Sequence, residues 1–512
     1  MSVPAAQFPA GQRSAYQFPV YRWLGWLAVA GFAIGLVAMF FVSGMFGIPA
    51  HLGWAAIVIL FTFGALLLDK PKLLLNVMLF YFLLVPSNRL FGLLPLPIPG
   101  GLNKFFFIPF IALIVMNWIQ HRHLKEATLF PLFFCILTGL SWYVNGKHAL
   151  VGTIQLTIVM LRCYILWYYC RLTCTFESER QMAKWMWGYV AYVAVQFPYN
   201  VLWQQGPWPR FHPDRSGGVF GPMSGGEAHM IGYMCVFGLL LVAGWWISVG
   251  ARARPRRRWL VAAVAAVMAY NLIVMTDTKH ILYMLPLIAL PFFVHPRIPM
   301  RRRISLLLAG AAICVCALAF IRYYVGDVQM RRYADAALDS PRAKMFYAVT
   351  VDLPYLVPYP LLGAGPCSFA SPQAVEAGTP LARRYIIPYL DENRRRSYYG
   401  MQGTVVSASV IGATQSDFFT LMGEYGWAAT AVYFGFWFWV IAKLLQKARQ
   451  APEGSLPSGL FIGLACCILT QTILLAITAI LITPAFTYPL WIFLGRAWDM
   501  RIAAASATAE PA

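Results

Sequence analysis

The feature that most limits the fold of this chain is a succession of apolar stretches, each long enough to cross a lipid bilayer. They begin at Trp23 and recur along nearly all of the 512 residues, of which 60% are hydrophobic and only 12% are charged. A bilayer admits only helices or closed barrels, because backbone groups find no water there. Since these runs are continuous, they predict an all-α, polytopic transmembrane helical protein and exclude a water-soluble class.

The spacing of the apolar runs predicts about fourteen spans, with thirteen as the alternative. Twelve lie at residues 23–46, 52–68, 73–86, 105–120, 129–144, 149–170, 185–203, 228–249, 259–275, 281–294, 304–321 and 416–442. The uncharged run from Gly459 to Gly495 is long enough for two more, joined by a tight turn. The spans at 73–86 and 281–294 are short and contain prolines, so they are expected to tilt, break or cross only in part.

These spans divide the chain into five regions. They are an amino-terminal tail at 1–22, helices 1–11 at 23–321, one large loop at 322–413, helices 12–14 at 414–497 and a disordered tail at 498–512. Nine of the ten cysteines sit in or beside apolar runs, where cysteine behaves as a small apolar residue. Neither a metal site nor a disulfide is predicted from their spacing.

The net charge of +21 would suggest nucleic-acid binding in a soluble protein, but its placement indicates membrane topology instead. With a cytoplasmic amino end, the predicted cytoplasmic connections hold 23 of the 40 Lys and Arg residues, and the short connections on the other face hold six. This asymmetry predicts that both termini are cytoplasmic. It places the connection at 204–227, the turn Thr276–His280 and the loop at 322–413 together on the outer face.

Two short outer segments carry candidate anion-binding groups. Arg215 precedes a glycine-rich passage, RSGGVFGP, that leads into a helix. Glycine allows tight turns and the amino end of a helix attracts anions, so Arg215 is a candidate phosphate clamp, with a flexible start of the helix as the alternative. In the turn TDTKH, Lys279 and His280 either serve the site, with His280 as a proton acceptor, or act as interfacial anchors.

The loop at 322–413 holds ten Lys and Arg against seven Asp and Glu, and it is predicted to receive an acidic, lipid-carried substrate. An amphipathic helix bearing Arg342 and Lys344 is expected there, followed by a turn at Gly363 and Gly365. A single G-x-G after prolines is a weak sign of phosphate binding, and a structural turn is the alternative.

Arg162 interrupts an otherwise apolar helix near its middle, where a charge costs several kcal/mol unless it is paired or hydrated. No acidic residue occurs in the cores of the neighbouring spans. A water-filled cavity or a bound anionic ligand is therefore predicted around Arg162, and capping of carbonyls in a broken helix is the alternative.

Gln415, Asp417 and Glu424 lie at the start of the next membrane helix, in TQSDFFTLMGEYGW. Asp417 and Glu424 are seven residues apart and so share a helix face. They are candidate catalytic carboxylates, and compensation of the helix dipole or capping is the alternative.

The order of these segments resembles the membrane superfamily of O-antigen ligases and of O-antigen or exopolysaccharide polymerases, over roughly Arg210 to Gly426. RSGGVFGP is similar to that family's R-x-G-x-F-x-x-P, and TDTKH to its short Ser-Arg turn, with Lys279 in place of Arg. PLLGAGPCSF resembles P-x-x-G-x-G-x-x-x-F. QSDFFTLMGEYG resembles His-Asn-x-x-Leu-x-x-x-x-Glu-x-Gly, with Gln415 where the family has its proposed catalytic His.

The resemblance implies transfer of a glycan from undecaprenyl diphosphate to a sugar hydroxyl, on the periplasmic face of a bacterial inner membrane, without metal, cofactor or nucleic acid. Cations such as Arg215 and Lys279, joined by Arg162 or loop arginines, would stabilise the leaving diphosphate. Gln415 can position the hydroxyl but cannot take its proton at neutral pH. The base is then Asp417, Glu424 or His280, unless proton removal follows bond breaking.

We therefore expect a polymerase of lipid-linked repeat units, with membrane lipids and with a flippase and a chain-length regulator of the same pathway as partners. Ligation of finished glycan to an acceptor lipid is the nearest alternative. A transporter or flippase would need charges along a path through several spans, whereas only Arg162 is deep. A non-catalytic assembly subunit is a further class. The enzyme hypothesis requires Arg215 and Lys279 to converge on one outward-facing pocket.

Overall fold

The computed structural model is helical almost throughout the part of the chain that it describes, which confirms the all-α prediction for that part. The described residues are 26–27, 30–31, 71–84, 89–90, 94–95, 107, 110–111, 114–115, 125–145, 150–205, 225–276, 279–296, 298–305, 307–312, 315–316, 319, 346–387, 416–477, 481 and 484–500. Within them, the exception is a short antiparallel ladder of two strands, Arg89–Leu90 (β1) and Leu94–Pro95 (β2).

Apart from two short helices in the large loop, the described helices fall in or beside the predicted apolar runs. The first group is α1 (Pro71–Leu84), α2 (Lys125–Val144), α3 (Leu150–Thr173), α4 (Glu179–Tyr199), α5 (Gly225–Ser248) and α6 (Pro255–Tyr270). The second group is α7 (Lys279–Ile288), α8 (Leu290–Val294), α9 (Leu353–Leu356), α10 (Pro372–Ala377), α11 (Asp417–Thr420), α12 (Gly426–Gln450), α13 (Leu456–Ile477) and α14 (Pro484–Trp498). Turns of π-helix lie at Asn200–Gln205, Asn271–Met275, Ala348–Asp352, Ala382–Ile386 and Leu421–Tyr425, and a 3-10 turn lies at Gly250–Arg252.

Five helical stretches of the described chain are long and apolar enough to cross a membrane, which supports the membrane class. They are Leu150–Thr173, Met230–Ser248, Pro255–Met275, Asp417–Gln450 and Leu456–Ala476. The predicted span at 52–68 lies outside the described residues, as do most of 23–46 and 105–120 and part of 304–321. The count of fourteen spans therefore stays a prediction.

Two predictions about helix breaks are confirmed. The proline-containing run at 281–294 is divided, because α7 ends at Ile288 and α8 begins at Leu290. The long uncharged run from Gly459 to Gly495 forms two helices, α13 and α14. Both breaks follow from local chemistry, since proline removes a backbone donor and clashes with the preceding turn.

Connections that the charge pattern assigns to one face meet in the structure. At the start of α1, Lys72 forms an ion pair with Glu177 in the α3–α4 connection, with Nζ 3.1 Å from Oε1. Arg171, near the end of α3, forms another with Asp499 after α14, with Nε 2.7 Å from Oδ2. The start of α1, the end of α3 and the end of α14 thus lie at the same end of the helices.

The helices α5 and α13 approach so closely that their backbones touch. A Cβ added at Gly459 would overlap the carbonyl oxygen of Gly244, and one at Gly463 would lie 2.7 Å from the carbonyl oxygen of Leu240. Small residues four apart let transmembrane helices pack at backbone distance, where van der Waals contacts replace those with lipid. The sequence GLFIG at 459–463 is such a motif.

A buried polar contact joins the fourth helix to the sixth. Asn200 and Asn271, each fully buried, are the first residues of the π-helical turns that follow α4 and α6. The Nδ2 of Asn200 donates to the Oδ1 of Asn271 at 3.0 Å. A hydrogen bond of this kind fixes the register of two helices that apolar side chains alone would leave free to slide.

Candidate functional site

The predicted span at 416–442 is not one straight helix, and its bend builds the candidate site. The segment 417–425 ends at Gly426, whose φ of 81° and ψ of 179° belong to a region that only glycine adopts readily. On a straight helix, Phe418 and Phe434 would lie about 24 Å apart. Their ring centroids are 6.2 Å apart. Residues 417–425 therefore fold back along the first turns of α12, so the predicted span at 416–442 is bent at Gly426.

Residues 360–365 of the large loop fill the break at Gly426. Their backbone pairs with the carbonyls that end the folded-back segment and with the amides that begin α12. The pairs are Ala364 N–Gly423 O (2.8 Å), Gly365 N–Glu424 O (3.0 Å), Trp427 N–Pro360 O (3.4 Å) and Ala428 N–Leu361 O (3.1 Å). Helix ends leave such groups unpaired, and this one segment supplies partners at both ends of the break.

The Glu424 side chain, which has no exposed surface, holds the next part of the same loop. Four backbone amides donate to its carboxylate: Cys367 N to Oε2 (2.6 Å), and Phe369 N, Ala370 N and Ser371 N to Oε1 (3.0, 2.8 and 2.7 Å). We call residues 360–371 and 423–428, joined by these contacts, the Glu424 clasp. Because its oxygens are enclosed by amides, Glu424 is not open to a ligand in this conformation, which favours a positioning role over that of a base.

A glycine turn and a contact from α2 also belong to the clasp. Gly363 has a φ of +72°, and a Cβ there would lie only 2.5 Å from the amide nitrogen of Gly426. In α2, the hydroxyl of Ser141 donates to the carbonyl of Leu362 and lies 3.2 Å from the carbonyl oxygen of Glu424. Gly363 therefore serves a structural turn in this conformation, and α2 is the helix on which the turn is seated.

The thiol of Cys367 is enclosed in the clasp, with 5% of the residue exposed. Burial raises the pKa of Cys367 to about 12, and the neighbouring Glu424 adds to the rise. The protonated thiol is therefore the form present at neutral pH. It packs as an apolar group and is a poor nucleophile.

The fold-back brings Asp417 to a buried polar cluster beside α3. Asp417 is 4% exposed, and its Oδ2 accepts a hydrogen bond from the amide of Leu481, between α13 and α14, at 2.8 Å. Asp417 and Arg162 both lie close enough to Cys163 to interact electrostatically with its thiol. Asp417 thus lies near Cys163, the residue that follows Arg162, and the sequence did not predict this because a straight span would keep Asp417 away.

Within the described part of the chain, Arg162 is a buried cation with an unused hydrogen-bond donor. It is 4% exposed, and its Nε has no hydrogen-bond partner among the described residues. Its guanidinium carbon lies 5.3 Å from the ring centroid of Phe107, and the Tyr488 side chain lies next to it. Helix α3 continues unbroken through this position, so Arg162 does not cap carbonyls of a broken helix. A buried charge with an unused donor favours an anionic partner.

Sequence reasoning missed three polar groups of this cluster. The Nε1 of Trp491 donates to the Oε1 of Gln471 at 2.7 Å, and the Nε2 of Gln471 lies 3.5 Å from the Sγ of Cys163. The hydroxyl of Tyr433 donates to the carbonyl of Met160 at 3.0 Å. The available signal was a lone amide side chain inside an apolar run, as in CCILTQTILL, since a buried polar group must find a partner there.

The remaining predicted site residues are placed less fully. Those outside the described residues are Arg215, Arg342, Lys344 and Gln415. The backbone of Lys279 and His280 forms the first turn of α7, while their side chains lie outside the described part. The convergence of Arg215 and Lys279 on one pocket therefore stays a prediction.

Comparison with known proteins adds no family assignment. The chain matches no family model, and no curated protein resembles it closely enough to count as a relative.

Proposed function

We propose that this chain is an inner-membrane glycosyltransferase that polymerises oligosaccharide repeat units carried on undecaprenyl diphosphate, to build an exopolysaccharide or an O-antigen. The Glu424 clasp is the observation that carries this proposal. The segments 360–369 and 415–426 both carry the resemblance to O-antigen polymerases and ligases. The Glu424 carboxylate joins them across 55 residues of sequence. This gives a physical reason for a glycine turn and a Glu-x-Gly sequence to occur together.

In the proposed reaction, an acceptor hydroxyl attacks the anomeric carbon of the donor sugar. One C–O bond forms, the bond to the diphosphate oxygen breaks, and undecaprenyl diphosphate leaves with the electron pair. Arg215 and Lys279 neutralise the leaving group, and Gln415 orients the hydroxyl. Its proton passes to Asp417 or His280, because the Glu424 oxygens are already occupied by backbone amides.

Replacing Arg215 with Ala tests the assignment of the leaving-group cation. Loss of one charge-stabilising donor should lower the polymerisation rate about 100-fold or more. The matched control is Arg210→Ala, which removes the same charge from the same predicted outer connection. Polymer yield and chain length are measured in cells with equal amounts of membrane-inserted protein. Unchanged polymer in the Arg215→Ala strain would refute the catalytic role.

Deletion of the protein separates a polymerase from the alternatives by the species that accumulates. Loss of a polymerase leaves single repeat units on the lipid carrier at the periplasmic face. Loss of a ligase leaves long chains on the carrier, and loss of a flippase leaves single units at the cytoplasmic face. Accumulation of either of the last two species would replace the polymerase proposal with the corresponding function.

A further inference from the structure

A cavity lies far from the Glu424 clasp, where α5, α13 and residues 295–302 meet. The clasp is at the Gly426 end of α12, whereas this cavity is at the opposite end, beside the α12–α13 connection. Helix α12 has 25 residues, so the two sites are separated by about 37 Å along it. The cavity has a volume of about 90 Å³, several times the space that one water needs. Its polar lining consists of Ser248, Arg252, His295, Arg302, Glu453 and Ser458.

The two arginines are held in place by the backbone around them. The guanidinium of Arg252 packs over Gly454, whose φ is +72° and where a Cβ would lie 3.0 Å from the guanidinium carbon. The Nη1 of Arg302 donates to the carbonyl of Ile247, near the end of α5. A guanidinium has five N–H groups, so one anchoring contact fixes its position and leaves donors for an anion.

The charge around the cavity is strongly positive. Five arginines occur in residues 252–258 and three in 301–303, with no acidic residue in either segment. Glu453 is the acidic group on the lining. It is exposed, and it forms no ion pair with any residue in the described part of the chain. The field at this cavity therefore favours an anion.

Exposed apolar side chains next to both basic segments in the sequence favour a lipid over a soluble anion. Trp259 is 77% exposed and follows the arginines of 252–258, while Met300 is 67% exposed and adjoins 301–303. Leu307 and Leu308, one to two turns further on, are exposed as well. Exposed tryptophan beside basic residues is typical of the headgroup level of a membrane. An anion bound here would have apolar surface on which acyl chains can lie.

We propose that this cavity binds the phosphodiester headgroup of an anionic phospholipid. Arg252 and Arg302 hold the phosphate oxygens, and the exposed side chains near Trp259 and Met300 contact the acyl chains. Basic pockets between transmembrane helices recognise anionic headgroups in this way. The site is independent of the glycosyltransferase proposal, because it lies at the other end of α12 and uses none of the same residues.

The test measures binding of fluorescent phosphatidylglycerol to the full-length, delipidated protein in neutral detergent. The variant Arg252→Gln/Arg302→Gln should bind about 30-fold more weakly, at roughly 1 kcal/mol for each arginine. The matched control is Arg254→Gln/Arg256→Gln, which removes two exposed arginines of the same connection that do not line the cavity. It should change the affinity less than about 3-fold. Equal weakening in both double variants would mean general surface attraction and would overturn the proposal.

A third variant keeps the test decisive if the arginine variants fail to fold. Glu453→Gln removes the negative charge from the lining and should tighten phosphatidylglycerol binding about 5-fold, by roughly 1 kcal/mol. Phosphatidylcholine should bind at least 10-fold more weakly than phosphatidylglycerol, and inorganic phosphate should displace the lipid only at far higher concentration. Unchanged affinity in Glu453→Gln, equal binding of phosphatidylcholine, or displacement by phosphate at matched concentration would each reject a phospholipid site.

Discussion

Replacing Glu424 with Gln tests the clasp directly. In the native protein, Oε1 of Glu424 accepts three backbone amides and Oε2 accepts the amide of Cys367. In the variant, the glutamine oxygen can still accept the three amides that Oε1 accepts. Its NH₂ group then faces the amide of Cys367, and two donors cannot form a hydrogen bond with each other. A hydrogen bond to a charged group contributes about 1.5–3 kcal/mol, so the change should cost about 2–3 kcal/mol. Glu424→Ala should cost more, because all four amides lose their acceptor.

Hydrogen exchange measures this loss where it occurs. Local opening of residues 366–372 should become roughly 30- to 150-fold more frequent in Glu424→Gln, since each 1.4 kcal/mol is tenfold. Deuterium uptake by peptides covering 366–372 is followed in purified protein with native elution behaviour. Glu453→Gln, an exposed glutamate at the other end of α12, serves as the control and should leave these peptides unchanged. Native exchange rates at 366–372 in the Glu424→Gln protein would refute the clasp.

Three other predictions follow from local geometry. Gly426→Ala should lower the free energy of unfolding by about 3 kcal/mol or more. The φ of 81° with ψ of 179° at Gly426 suits only glycine, and a Cβ there would overlap the backbone of residue 363. The yield of monodisperse protein should therefore fall sharply. Gly459→Ala should lower the thermal midpoint by forcing α5 from α13, whereas Gly435→Ala, with no atom within 4 Å of the new Cβ, should leave it equal or higher. Because burial raises the pKa of Cys367 to about 12, its thiolate is scarce at every pH below that value; a Cys367 peptide modified by maleimide at pH 7.5 without denaturant would contradict this.

The positions of the helices could be predicted from the sequence because length and apolar content alone decide them in a bilayer. The uncharged run from Gly459 to Gly495 had to be two helices, since one span uses only about 20 residues. The break between α7 and α8 followed from Pro291, which lies in the first turn of α8, whereas Pro286 lies inside α7. Both predictions depend only on the length of an apolar run and the positions of prolines, which can be read directly from the sequence.

The fold-back at Gly426 could not be predicted because nothing local requires it. MGEYGW fits a continuous apolar helix, and a glycine within such a helix is tolerated at about 1 kcal/mol. The left-handed conformation at Gly426 is favoured only once residues 360–365 supply partners for the exposed backbone groups, and that pairing is long-range. The same long-range pairing decides the role of Glu424, because its carboxylate oxygens accept amides from a loop more than fifty residues earlier.

The special position of Arg162 could be predicted from the sequence, but the residues around it could not. A lone arginine in an apolar run predicted a water-filled cavity or a bound anion around Arg162, and this stays a prediction, although the structure does bury the side chain. Tyr488, which lies beside Arg162, and Gln471, which lies beside Cys163, come from helices three hundred residues later in the chain, and the fold-back brings Asp417 near Cys163. Their side chains were visible in the sequence, but their proximity depends on helix packing that no local pattern encodes.

The seat of the clasp on α2 sets an order for assembly during synthesis. Ser141 meets the carbonyl of Glu424 across 283 residues, so at about 5–20 residues per second the ribosome needs roughly 15–60 s to deliver its partner. Until then, the hydroxyl of Ser141 in α2 lacks its contact with the carbonyl of Glu424. A nascent chain that is released before Glu424 emerges would therefore hold α1 to α10 and still lack the clasp, because Glu424 supplies the carboxylate and the carbonyl on which the clasp depends.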